Sequence, residues 1–106
     1  MINKLRYICK KLDWNVTVSK DYIDISQFSP AGEDFFFTVT RDNFVNEIIS
    51  YAENFDADEH AEMWVENMHT VSGVPQSIRE LINDADAIKE MLLELANEIR
   101  SKYYDI

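Results

Sequence analysis

The spacing of apolar residues changes period twice along this chain, so neither a pure helix bundle nor a pure sheet accommodates it. Ile2, Leu5, Ile8 or Cys9, and Leu12 recur at helical spacing, which predicts an amphipathic helix over residues 2–12. From Trp14 the period drops to two. Trp14, Val16 and Val18 alternate with Asn15, Thr17 and Ser19, and Tyr22 to Phe28 alternates again after the turn Ser19-Lys20-Asp21. Ser29-Pro30-Ala31-Gly32-Glu33-Asp34 has the chemistry of a longer hairpin loop: Pro30 removes an amide donor and Gly32 permits positive φ. Phe35, Phe37 and Val39 then face one side and Phe36 and Thr38 the other, which completes a three-stranded antiparallel meander. Aromatics on both faces imply that helices cover one face and that the other is at least partly covered.

From Asp42 the period lengthens again. Phe44, Ile48, Tyr51 and Phe55 fall on one helical face, with Asp42 suited to the N-cap. A further helix starts at Asn54-Phe55-Asp56, with Ala61, Trp64, Val65 and Met68 inward, and Ser72-Gly73-Val74-Pro75 ends it. Ser77 and Glu80 have capping-box spacing, and Ile78, Leu81, Ala85, Ile88, Leu92, Leu95 and Ile99 follow at intervals of three and four. This stripe is either one helix to about Lys102 or a short and a long helix broken at Asn83-Asp84. The break is favoured, because Asp84 is a competent cap for the second piece. The expected fold is a single α+β domain over residues 1–106: an N-terminal helix, a three-stranded antiparallel sheet, then three to four helices.

Charge is unevenly spread over this order. Residues 1–20 carry Lys4, Arg6, Lys10, Lys11 and Lys20 against Asp13, a balance of +4 within a chain of net charge −10. Residues 42–78 hold no lysine or arginine but include Asp42, Glu47, Glu53, Asp56, Asp58, Glu59, Glu62 and Glu66. On a helix Glu59, Glu62 and Glu66 share a face, with Cβ atoms of neighbours about 5–6 Å apart. Successive phosphates of a nucleic-acid strand lie roughly 6–7 Å apart, so such an edge presents a comparable charge pattern to an arginine-lined groove. Asp56, Asp58 and Glu59 gain from the N-terminal helix dipole, whereas Glu62 and Glu66 gain little. The field repels phosphate backbones, which excludes direct nucleic-acid binding, and attracts cationic surfaces. The bland alternative is a solvated face that keeps a small protein soluble.

Little in the chain points to catalysis. There is no G-x-S-x-G motif, P-loop or dinucleotide fingerprint, and Gly32 and Gly73 are the only glycines. Glu66-x-x-His69 is half of a di-iron carboxylate pattern, and a second Glu-x-x-His is lacking. His60 lies among carboxylates and reads as a surface residue. No metal, cofactor or enzymatic role is expected. Cys9 is the only cysteine, which precludes an internal disulfide and fits a small core hydrophobe. MINKLRYICKKLDW lacks the apolar run and cleavage site of a secretory signal, and no membrane-length apolar stretch occurs, so the expected location is the cytoplasm.

Two resemblances follow from these segments. FDADEHAEMWVENM, with GVPQSIRELINDADAIKEMLLELA after it, resembles small acidic proteins encoded on bacterial mobile elements. In element order the first seventy residues are similar to the small phage anti-CRISPR inhibitors that occupy the PAM-reading groove of a type II CRISPR nuclease, with NFVNEIISYAENFDADEHAEMWVENMHTV in the place of their acidic helices. The basic first helix and the C-terminal extension depart from that pattern. The resemblance implies an acidic DNA mimic that occludes a DNA-reading groove of a basic nucleic-acid-binding protein, through charge-assisted pairing with its arginines. The contact set is Glu53, Asp56, Asp58, Glu59, Glu62 and Glu66. The second reading is a non-enzymatic assembly protein that forms a homodimer through the C-terminal helix.

Overall fold

The structure, a computed structural model, describes residues 2–67 and 78–104, and the side chains of 2–63 and 79–104. Its elements run α1 (Ile2–Lys11), β1 (Asn15–Val18), β2 (Tyr22–Phe28), β3 (Asp34–Thr40), α2 (Phe44–Asn54), α3 (Ala57–Asn67) and α4 (Ile78–Tyr103). This is the α+β order expected, with three helices after the sheet among the described residues. Ser72–Pro75 and Ser77 lie outside the described residues.

α1 buries Leu5, Ile8 and Cys9, and Lys10 and Lys11 in its last turn complement the helix dipole. Asp13 ends it in the left-handed region, at φ 65°, where a short polar side chain is tolerated. The Gln27 Nε2 donates to the Leu12 and Asp13 carbonyls at 2.9 and 2.8 Å, tying this exit to β2. Cys9 is buried, and burial pushes its thiol up to about 12. Alkylation of native protein at neutral pH is therefore expected to be slow and to become complete on addition of denaturant. Equal labelling rates in the two states would show that Cys9 is accessible.

The sheet has the order β1-β2-β3, antiparallel throughout, with Val16 opposite Ile25 and Ile23 opposite Val39. Trp14, Ile23, Ile25, Phe35, Phe37 and Val39 point inward and join Leu5, Ile8, Ile48, Ile88, Leu92, Leu95 and Ile99 in one core. The outer face differs from the expectation of partial cover. Tyr22, Phe28 and Phe36 are 54%, 66% and 68% exposed, because the helices that enter the core, α1, α2 and α4, pack on the inner face.

Two capping expectations are corrected. The N-cap of α2 is Asn43, not Asp42, and its side chain makes no cap hydrogen bond. The C-terminal stripe is one uninterrupted helix, α4, without a break at Asn83-Asp84. Asp84 does act as a cap, but of a different segment. Its Oδ2 accepts from the Ser29 hydroxyl at 2.6 Å and its Oδ1 from the Ala31 N–H at 2.8 Å. Ser29 Oγ in turn accepts from the Glu33 N–H at 2.9 Å, and Gly32 turns the loop at φ 97°. The β2–β3 loop is thus pinned to α4 by a buried, satisfied network.

α4 organises the other helices along its length. Near its start, Leu81 and Ala85 form a second small cluster with Ala61 of α3. Further on, Lys89 Nζ donates to the Ala52 and Glu53 carbonyls at 2.6 and 3.2 Å, a cation closing the C-terminus of α2. At its far end it meets α1: Lys11 pairs with Glu98 at 3.3 Å, and Lys4 Nζ donates to the Lys102 carbonyl at 3.4 Å. No helix among the described residues is long and apolar enough to cross a membrane.

Candidate protein-binding face

The predicted acidic residues separate into distinct roles. Asp56 is the N-cap of α3: its Oδ1 accepts from the Asp58 and Glu59 N–H groups at 3.0 and 3.2 Å, and its carbonyl receives the His60 N–H at 3.0 Å. Glu53 is set apart, paired with Arg100 of α4 at 3.1 Å. Asp58, Glu59 and Glu62 are exposed on α3 and form no ion pair among the described residues. Glu66 lies on α3, and its side chain is outside the described set, as are Trp64 and Val65; Met68 and His69 lie outside the described residues altogether. The amino-terminal lysines do not reach this face; Lys4 and Lys11 engage the opposite end of α4. Arg79 opens α4 at the α3 end, and no ion pair joins it to Asp58, Glu59 or Glu62.

Beside this helix, α2 and α3 stand back from β3 and leave a groove of about 830 Å³. Its lining includes Glu33, Asp34, Glu47, Asp56 and Glu59, and neither a lysine nor an arginine. Aromatic rings form the wall: Tyr51 stacks on Phe37 at 4.4 Å and 7°, and Phe55 meets Phe35 edge-on at 5.7 Å. Burial, then the Glu33 carboxylate, raises the Tyr51 phenol above its ordinary value of 10, so it remains a neutral donor at physiological pH.

His60 is not the surface residue its neighbours in sequence suggest. It is partly buried, with Nε2 2.8 Å from Glu33 Oε2, and its ring lies against Phe35 and Phe55. This contact joins the start of α3 to the β2–β3 loop. At the other end of the groove, Glu47 accepts from both the hydroxyl and the N–H of Thr40. Those bonds, the hydroxyl's first, hold its carboxyl below the ordinary 4.5. It therefore stays charged and bonded above that value, and the link is released only as pH falls through the lowered one.

Glu33 and Asp34 escaped the sequence reading because strand and loop bring them to the helices from a distance in the chain, and Glu47, on α2, appears there among the acidic residues but not in the contact set. A weak signal existed in Glu47, Ser50 and Asn54, a polar line beside the apolar face of α2. Among the described residues no group of three His, Cys, Asp or Glu side chains is placed to hold a metal ion. Comparison with protein-family models, curated proteins and solved structures returns no match.

Proposed function

We propose that this chain is a non-enzymatic, acidic mimic of nucleic-acid charge that blocks a basic nucleic-acid-binding protein in the cytoplasm. In particular, it acts as an anti-CRISPR protein and occludes the DNA-reading groove of a type II nuclease. The observation that carries this reading is the exposure of Asp58, Glu59 and Glu62 on one capped helix with no cation paired to them among the described residues. A partner arginine meeting them breaks no ion pair among the described residues, and the Asp56 cap fixes the start of their helix before contact. The order α1-β1-β2-β3-α2-α3 lends support, since it is the order that the resemblance to those inhibitors implies.

The test is titration of the protein into an RNA-loaded type II nuclease cleaving linear DNA. Inhibition is expected, and it should weaken about tenfold or more between roughly 50 and 200 mM salt. Combined Asp58→Asn, Glu59→Gln and Glu62→Gln, all at exposed positions, should cost about tenfold or more in apparent affinity at unchanged circular dichroism. Undiminished inhibition by that variant overturns the acidic-face mechanism. Cleavage unaffected by the wild-type protein overturns the nuclease as target.

A further inference from the structure

We infer that the open edge of β3 and the facing side of α2 form a strand-addition groove for an extended basic segment of a partner protein. This rests on the partner being basic, as proposed above, but not on its being a nuclease. It places the contact on β3 rather than on α3 alone.

Among the described residues the sheet order leaves β3 paired on one side only. The phase of the ladder is fixed by two flanking bonds, Arg41 N–H to the Asp21 carbonyl at 2.9 Å and Ser29 N–H to the Glu33 carbonyl at 2.8 Å. Bonded pairs alternate in an antiparallel ladder, so Phe35, Phe37 and Val39 bond to β2. Asp34, Phe36, Thr38 and Thr40 consequently turn their main-chain groups toward the open edge. Thr40 bears this out, since its N–H is taken from the α2 side by Glu47 at 2.9 Å. Phe36 and Thr38 carry no such bond from that side among the described residues, and both line the groove.

An unpaired edge beside a helix wall is the geometry in which an added strand gains main-chain hydrogen bonds while the wall selects its side chains. Glu47, Ser50 and Asn54 of α2 supply the wall, and the volume of about 830 Å³ falls within the range of roughly 300–1,000 Å³ common for ligand sites. Glu47 closes one end at Thr40, so the incoming segment pairs opposite residues 34–38. Charge identifies the occupant. Glu33 is held by His60 and Asp56 by the start of α3, whereas Asp34 and Glu59 have no ion pair among the described residues and no lysine or arginine lines the groove, which favours arginine or lysine at alternate positions of the added strand. A second copy of β3, with the sequence DFFFTVT, brings Asp34 and no cation, and so fits poorly.

The probe is a short peptide of alternating arginine and valine, added to the full chain and followed by fluorescence anisotropy and amide hydrogen exchange. Binding is expected to slow exchange at the Phe36 and Thr38 amides, and an alternating glutamate–valine peptide should not bind. Ser50→Arg, at an exposed position, should weaken binding about tenfold or more by placing a cation in the wall, and Asp58→Asn with Glu62→Gln, both outside the groove lining, should leave it largely intact. Unchanged exchange at Phe36 and Thr38 in saturating peptide overturns the inference, as does equal binding of the glutamate peptide. Protection that appears without peptide, with a dimeric mass, overturns it in favour of a second copy. Nuclease inhibition without peptide binding sinks the groove alone. Peptide protection without inhibition sinks the nuclease reading alone.

Discussion

Leu92→Asp is expected to leave the chain unfolded in neutral buffer. Leu92 is 0% exposed and sits in the core with Ile23, Ile25, Ile48 and Leu95. Removing its side chain costs about 2–5 kcal/mol in lost transfer energy and cavity, and an unpaired buried carboxylate adds several more. Together these approach the roughly 5–15 kcal/mol by which domains of this size are stable. Far-UV circular dichroism should show the loss of helix, whereas Leu92→Ala should remain folded and be destabilised by about 2–5 kcal/mol in urea. The result bears on assembly, because Leu81, Ala85, Ile88, Leu92, Leu95 and Ile99 are all spent within the chain's own core and second cluster. A Leu92→Asp chain that keeps its helicity but loses a dimeric mass would instead make this stripe an intermolecular contact.

The second large effect is expected at a polar position. Asp84→Ala strands the Ser29 hydroxyl and the Ala31 N–H in a site that is mostly closed to water. Each lost bond to an ionised group is worth about 1.5–3 kcal/mol, so a destabilisation of about 3 kcal/mol is expected from the urea midpoint. Ser29→Ala should cost less, because Asp84 keeps the Ala31 N–H. The double variant should fall short of the sum of the two, with a coupling of about 0.5–3 kcal/mol. A change within about 0.5 kcal/mol for Asp84→Ala would show that the loop does not depend on this anchor. Since the loop also carries Glu33, the partner of His60, the same substitution should loosen the start of α3.

Asp84 also shows where reading the sequence stopped. The periods of two and 3.6 placed α1, the three strands, α2 and α3, because burial of one face imposes them locally, and marked the stripe of α4 but not its continuity through Asn83-Asp84. The helix start at Asp56 was legible for the same reason, since a cap and its N–H donors lie within one turn, although the sequence reading assigns the residue itself to the contact set and not to the cap. Asp84 was misassigned because its partners are 53 and 55 residues away, and a carboxylate that competes for a distant loop looks locally like a helix start. The sequence reading names Asp42 as the cap where Asn43 takes the position, an error of one residue between two types that both cap well. Phe36 misled differently. Its aromatic ring suggested cover on the second face, whereas it lies at an open edge. The groove depends on how far α2 stands from β3, and no local pattern encodes that distance.

The way α4 spans the molecule has a consequence for approach. With 26 residues it is about 39 Å long, with the lysines of α1 at one extremity and the carboxylates of α3 at the other. In the field of a cationic surface such a body experiences torque as well as attraction. It rotates its negative pole forward while still several ångströms away, so that fewer collisions are wasted in wrong orientations. Dissolved ions erase that guidance within about 8 Å at physiological strength, which confines the alignment to the last moments before touch.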